Sequence, residues 1–221
     1  MAVIVGVQLL IWFTSGLVMS VLPIERVRGE HLVAKESARP LPVEAAHLLS
    51  SLPREEVPIA TLTLGMVLDR PTVAIGYVDG RRRLLDLTSG REIRIDRSLA
   101  ERIVRAVYRG PAVMARTQAV TNNSTEYRGA LPAWQVAFDD ADATRVYVEA
   151  ATGRIAAVRT STWRLYDFFW GLHIMDWKNH EDFNTPWLMA FAVGSLGLGV
   201  AGSVLLYMRW PRRSRRRRSA V

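Results

Sequence analysis

Two apolar runs, one near each end, constrain this chain more than anything else in it. Trp187 to Met208 covers 22 residues without a charged side chain, and seven arginines follow between Arg209 and Arg218. As an α-helix such a run is about 33 Å long, enough to cross a hydrocarbon core of about 30 Å. Basic residues crowd the cytoplasmic flank of a span, so the C-terminus is expected inside. Ala2 to Leu22 is a second uncharged run. It has no basic leader, its apolar core is long, and Val21-Leu22-Pro23-Ile24 offers no small-residue cleavage pattern. It therefore reads as a retained span rather than a removed signal peptide. Gln8, Thr14, Ser15, Gly16 and Ser20 within it suit packing against another helix. Two spans with the C-terminus inside put the N-terminus inside as well. Residues 23–185 then form one extracytoplasmic insertion of a cytoplasmic (inner) membrane protein.

The formal charge is +8, and the tail arginines supply all but one unit of it. A nearly neutral body excludes nucleic acid as its partner. Beside a span, the tail sets topology and attracts anionic lipid of the bilayer. The absence of cysteine excludes disulfides, thiolate metal sites and a cysteine nucleophile. No nucleophile constellation, phosphate-binding loop or acid pair stands out. Ser124, in Asn122-Asn123-Ser124-Thr125, is loop chemistry, and Asp139, Asp140 and Asp142 read as a solvated hairpin tip.

The insertion reads as α+β and as a doubled unit. Leu41, Ala45, Leu48, Leu49 and Leu52 fall at helical spacing after Pro40-Leu41-Pro42. Strands are expected at 59–67, 72–78 and 83–87, with breaks at Asp69-Arg70-Pro71 and Asp79-Gly80. The order then repeats. Asp96 or Ser98 caps a helix carrying Leu99, Ile103, Val104 and Val107, and strands follow at 112–120, 133–138, 144–149 and 154–158. Within the hairpins Asp86–Ile93 and Glu149–Ile155, Asp86 to Arg91 lines up with Glu149 to Arg154 at an offset of 63. In both, an apolar strand ends in a carboxylate, and a tight turn with a late glycine restarts the chain with arginine. Trp134, Val136 and Phe138 should share one strand face, covered by Ile103 and Val107, with solvent-facing neighbours between them.

Leu131 to Asp140, followed by Arg145-Val146-Tyr147-Val148-Glu149-Ala150-Ala151-Thr152-Gly153-Arg154-Ile155, resembles the core of a PepSY domain. Ser15-Gly16-Leu17-Val18-Met19 with Arg28-Gly29-Glu30-His31 is similar to the first helix of PepSY-associated membrane proteins. Leu172-His173-Ile174-Met175-Asp176-Trp177 is similar to the segment before their last helix. The resemblance implies tandem helix-plus-antiparallel-sheet units, residues 23–95 and 96–160, flanked by transmembrane helices at 2–22 and 187–208. An interfacial aromatic helix and linker at 161–185 and a basic tail at 209–221 complete the layout. It implies a non-enzymatic module that binds or regulates an envelope protein, restraint of a peptidase included, with sheet edges and the hairpins Asp86–Ile93 and Glu149–Ile155 as contact surfaces. Family members often begin with a basic, histidine-bearing stretch, whereas this chain starts at Met1-Ala2-Val3. Either the true start lies upstream or any role of that histidine is absent.

His31 and His47 read as structural. His173, Asp176 and His180 fall on one face if the aromatic segment stays helical, and imidazole with carboxylate suits a transition metal. Relatives with more membrane helices include siderophore-reducing proteins. The alternative they imply is a haem- or metal-bearing component of transmembrane reduction in iron uptake. His173 is then a haem ligand, with a second imidazole from His31, another copy or a partner. No cofactor is expected under the binding reading. Trp163, Tyr166, Trp170, Trp177 and Trp187 fit a headgroup-level aromatic belt. Ser195, Gly199 and Ser203 recur every four residues as a close-packing face, for the other span or for a homodimer.

Overall fold

The structure, a computed structural model, describes residues 2–34, 41–42, 57–111 and 113–210. It divides into two compact units, Val21–Asp167 and a combination of Met1–Ser20 with Phe168–Val221.

The Val21–Asp167 unit is α+β. Helix α1 (Ala2–Val21) belongs to the other unit, and the short α2 (Ile24–Val27) opens this one. An antiparallel sheet of β1 (Ile59–Val67), β2 (Arg70–Tyr77) and β3 (Arg82–Asp86) follows in that order. Helix α3 (Arg97–Val107) leads to a second antiparallel sheet, β4 (Met114–Val120), β5 (Ala133–Phe138), β6 (Arg145–Glu149) and β7 (Ile155–Arg159). The helix expected from Leu41 to Leu52, with His47, lies outside the described residues apart from Leu41. The β1–β2 connection is tighter than expected. Val67 pairs with Arg70 across Leu68-Asp69, Leu68 takes φ 56°, and Pro71 lies inside β2 opposite Met66.

Asp96 caps α3 by accepting from the Leu99 amide at 2.8 Å, which satisfies one of the free donors of the first turn. The helix then buries Ala100, Ile103 and Val104. These join Val67 and Leu84 of the first sheet and Val136, Phe138, Val146 and Val148 of the second in one apolar cluster. Each such side chain removed from water contributes about 1.5–3 kcal/mol. Trp134 packs at the rim of this cluster and donates through Nε1 to the Ile95 carbonyl at 2.7 Å. The far face of the first sheet holds Val73, Ile75, Tyr77, Leu85 and Leu87. The expectation of solvent on the other side of β5 is corrected. Tyr127, Ala133 and Tyr147 form a third cluster there, because the 121–132 loop folds back over the sheet.

The two glycine turns match in detail. Asp86 N donates to Arg91 O and Gly90 N to Asp86 O, while Glu149 N donates to Arg154 O and Gly153 N to Glu149 O. Gly90 takes φ 67° and Gly153 φ 71°, backbone that glycine adopts without strain. After the first turn a single bridge, Leu85 to Glu92, continues the ladder. After the second, β7 continues it from the Val148–Ile155 pair.

Helix α4 (Ser161–Ile174) starts at Thr160, whose Oγ1 accepts from the Trp163 amide at 3.1 Å. In the other unit, α1 and α5 (Pro186–Arg209) are both long and apolar enough to cross a membrane, each with a mean hydropathy of 1.9. Their apolar stretches are almost wholly exposed, 11% buried in α1 and 0% in α5. Thr185 caps α5 by accepting from the Leu188 amide at 3.2 Å, with Pro186 in its first turn.

Candidate functional site

A cleft of about 1050 Å³ lies wholly within the Val21–Asp167 unit. Its floor is one face of the first sheet. Strand pairing brings Thr61 beside Gly76, Thr63 beside Ala74 and Gly65 beside Thr72, and alternation puts all six positions on one face. Their small size leaves the space. The C-terminal half of α3 (Ile103, Ala106, Val107) and the β6–β7 turn form its walls. Arg82, Arg128 and Arg154 stand on the lining, with Glu149 as the only carboxylate among the described lining residues.

Glu149 is buried and already engaged. Its carboxylate accepts from Thr152 Oγ1 at 2.8 Å and from Arg154 Nη2 at 3.3 Å. Gly153 cannot be replaced at this turn without strain. Besides its positive φ, a Cβ there would lie 3.1 Å from Val67 Cγ2 and 3.2 Å from Ile95 Cδ1. The hairpin expected as a contact surface is thus a wall of the cleft.

On the outer face of the second sheet, Glu126 gathers three partners that sequence spacing gave no reason to join. It accepts from Arg145 Nη1 and Arg164 Nε, both at 2.8 Å, and from the Tyr147 hydroxyl at 3.0 Å. Arg159 donates to the Glu126 carbonyl at 2.7 Å and lies over the Trp163 ring, 4.1 Å from its centroid. Burial works against the charged form of Glu126, but the hydrogen bonds from Arg164, Arg145 and Tyr147 outweigh it and hold its pKa below the ordinary range.

The proposed metal face is not formed. Helix α4 ends at Ile174 and Met175 takes φ 56°, so Asp176 and His180 leave the helical register of His173. Both Asp176 oxygens are occupied, Oδ1 by the amides of Lys178 and Asn179 and Oδ2 by those of Glu181 and Asp182. Those backbone donors depress its pKa strongly. His180 takes φ 58° and its ring packs where a side chain on Gly171 would stand. Among the described residues no group of three or more His, Asp or Glu could hold a metal.

His173 has a different task in its unit. Its Nδ1 lies 2.9 Å from Ser15 Oγ, and Ser15 is 1% exposed. Ser15 also lies 2.7 Å from the Ile11 carbonyl, to which its single proton can go. The hydroxyl then accepts from Nδ1–H, which leaves Nε2 as the acceptor nitrogen. His31, the expected source of a second haem ligand, stands with Nε2 3.6 Å from Asp142 Oδ2. The acidic hairpin tip is also not simply solvated. Asp140 accepts from Tyr108 Oη at 2.9 Å and from the Thr144 amide at 2.7 Å. Trp170, expected in an aromatic belt, donates to the His180 carbonyl at 3.0 Å. On α5, Ser203 Oγ donates to the Gly199 carbonyl at 2.8 Å, and Gly199 and Ser203 stay exposed while Ser195 is half-buried.

No family model, no curated protein and no solved structure matches the chain.

Proposed function

We propose that the chain is a two-pass membrane protein whose Val21–Asp167 unit is a tandem PepSY-like module on the extracytoplasmic side, with both termini in the cytoplasm. The module binds and regulates an envelope protein, for which a peptidase is one candidate, and performs no catalysis of its own. The cleft carries this reading. It combines a floor of small residues with three arginines, while its carboxylate is tied into its own turn. Such a lining offers a partner burial and charge. The tandem reading draws on the matched hydrogen bonds of the two glycine turns, and the two spans on the length and exposure of α1 and α5.

The chain has no cysteine, which makes the topology directly testable. Thr61→Cys should react with a membrane-impermeant maleimide in intact cells, and Ser219→Cys only after the membrane is opened. The reverse pattern ends this topology. Protein purified in mild detergent should be colourless. A Soret band that His173→Ala removes would replace binding with haem-based electron transfer.

A further inference from the structure

We propose that the unit containing α1 and α5 holds a second site, between those two helices, for a lipid-soluble neutral molecule that presents a carbonyl acceptor, such as a quinone head. The inference goes beyond the cleft and rests only on the reading of α1 and α5 as membrane spans.

Two described side chains of α1 are buried, and both are polar. Gln8 is 7% and Ser15 1% exposed, while Leu10, Phe13 and Leu17 are 66%, 73% and 65% exposed. A helix against water shows the reverse, whereas one in hydrocarbon turns its apolar side chains out and encloses its polar ones. Gln8, Trp12 and Ser15 recur at i, i+4 and i+7, so they share one face over about 10 Å of helix. That face looks into the unit at both ends. Val5, one turn before Gln8, has its Cγ2 3.7 Å from where a Cβ on Gly194 of α5 would stand. Gly194 adjoins Ser195, which brings that hydroxyl within about a helical turn of Gln8. At the other end His173 Cε1 lies 3.7 Å from where a Cβ on Gly16 would stand, and His173 bonds Ser15.

Polar side chains between membrane helices serve as glue or as a site, and hydrogen bonding tells the two apart. Ser15 is glue, tied to His173 and to the Ile11 carbonyl. Gln8 Nε2, Trp12 Nε1 and Ser195 Oγ are buried and find no hydrogen-bond partner among the described residues. An indole N–H and an amide NH2 only donate, and a donor left unmade in hydrocarbon is costly. What completes them is an acceptor that dissolves in the bilayer. A helix of another protein does not supply it from outside, because the surface it meets on α1 is Val3, Val7, Leu10, Phe13 and Leu17. An anion does not fit either, since α1 carries no charged residue and α5 none before Arg209. A neutral carbonyl compound does. It enters by parting α1 from α5 at the Val5–Gly194 contact, its oxygen accepts from Gln8 and Trp12, and its ring packs on the indole.

The test titrates the full-length protein in mild detergent with decylubiquinone, and with decylbenzene as an apolar molecule that lacks a carbonyl. The quinone should bind about tenfold or more tighter, a difference of roughly 1.4 kcal/mol. Gln8→Leu and Trp12→Phe should each weaken it about tenfold, whereas Phe13→Leu, on the outward face, should leave it unchanged. The infrared carbonyl band of the bound quinone should lie at lower frequency than in detergent alone, and Gln8→Leu should move it back. Without quinone, Gln8→Leu should melt no lower than the wild type, because it removes a buried amide that has no partner. Equal binding of quinone and decylbenzene, a carbonyl band indifferent to Gln8→Leu, or no binding of either probe would overturn the site. So would a lowered melting temperature of ligand-free Gln8→Leu, the mark of an amide already bonded within the protein. A dimer that Gln8→Leu converts to monomer would overturn it as well, because the donors would then serve a second copy. Maleimide labelling of Thr61→Cys separates the two levels. Protein labelled as expected that fails to discriminate loses only this ligand, whereas the reverse labelling removes the spans and the site with them.

Discussion

Glu126 shows how much one side chain can organise. Its carboxylate ties the 121–132 loop to β6 through Arg145 and Tyr147 and to α4 through Arg164. Its folded pKa is lowered, so its stabilisation is complete above the unfolded value near ~4.3 and is lost as pH falls through the lower folded value. Glu126→Gln keeps the shape but removes the charge from three hydrogen bonds. It should cost about 2 kcal/mol at neutral pH and flatten the loss of stability below pH ~4. Thermal melts across pH check this, and an acid limb identical to the wild type would sink it. His173 is the complementary case. His173→Ala should remove about 1 kcal/mol with its hydrogen bond to Ser15 and leave membrane insertion intact, read as unchanged yield in the membrane fraction.

Elements whose signals are local were legible in the sequence, and those that depend on distant partners were not. β1 and β5 have the expected bounds, and Asp96 caps α3, because alternation and capping are written in neighbouring residues. The end of α4 was not legible. No glycine or proline marks Ile174. The helix stops because Met175 turns to positive φ and Asp176 collects four downstream amides. The metal face was drawn on a helix that this loop interrupts. The cleft escaped notice for another reason. Its floor exists only through the register of β1 on β2, and its wall comes from a turn at Gly153, far along the chain. The role of Asp176 gives a prediction at this scale. Asp176→Ala leaves those four amides without their acceptor, so limited proteolysis should cut between residues 175 and 185 sooner than in the wild type. An unchanged cleavage rate would mean that the loop holds its form without the carboxylate.

The proposed orientation rests on the arginines that follow α5. Taken alone, α1 points the other way. Arg26 and Arg28 follow it within seven residues of Val21. By the positive-inside rule those two would hold the α1 C-terminal flank, and the whole Val21–Asp167 unit with it, in the cytoplasm. The proposed topology needs the seven arginines from Arg209 to Arg218 to outweigh them, which they do in number and by lying directly against α5. Later charges can decide the orientation of an earlier span when they are this concentrated. Replacing all seven with glutamine removes the stronger signal and leaves the weaker, opposite one. Thr61→Cys in that background should lose at least about half of its labelling by an impermeant maleimide in intact cells, the share expected when two orientations compete. Adding three arginines after Met1 to the same variant should restore the labelling, because that end then outweighs Arg26 and Arg28. Full labelling without the tail arginines would show that the insertion, and not the tail, sets the direction of this protein.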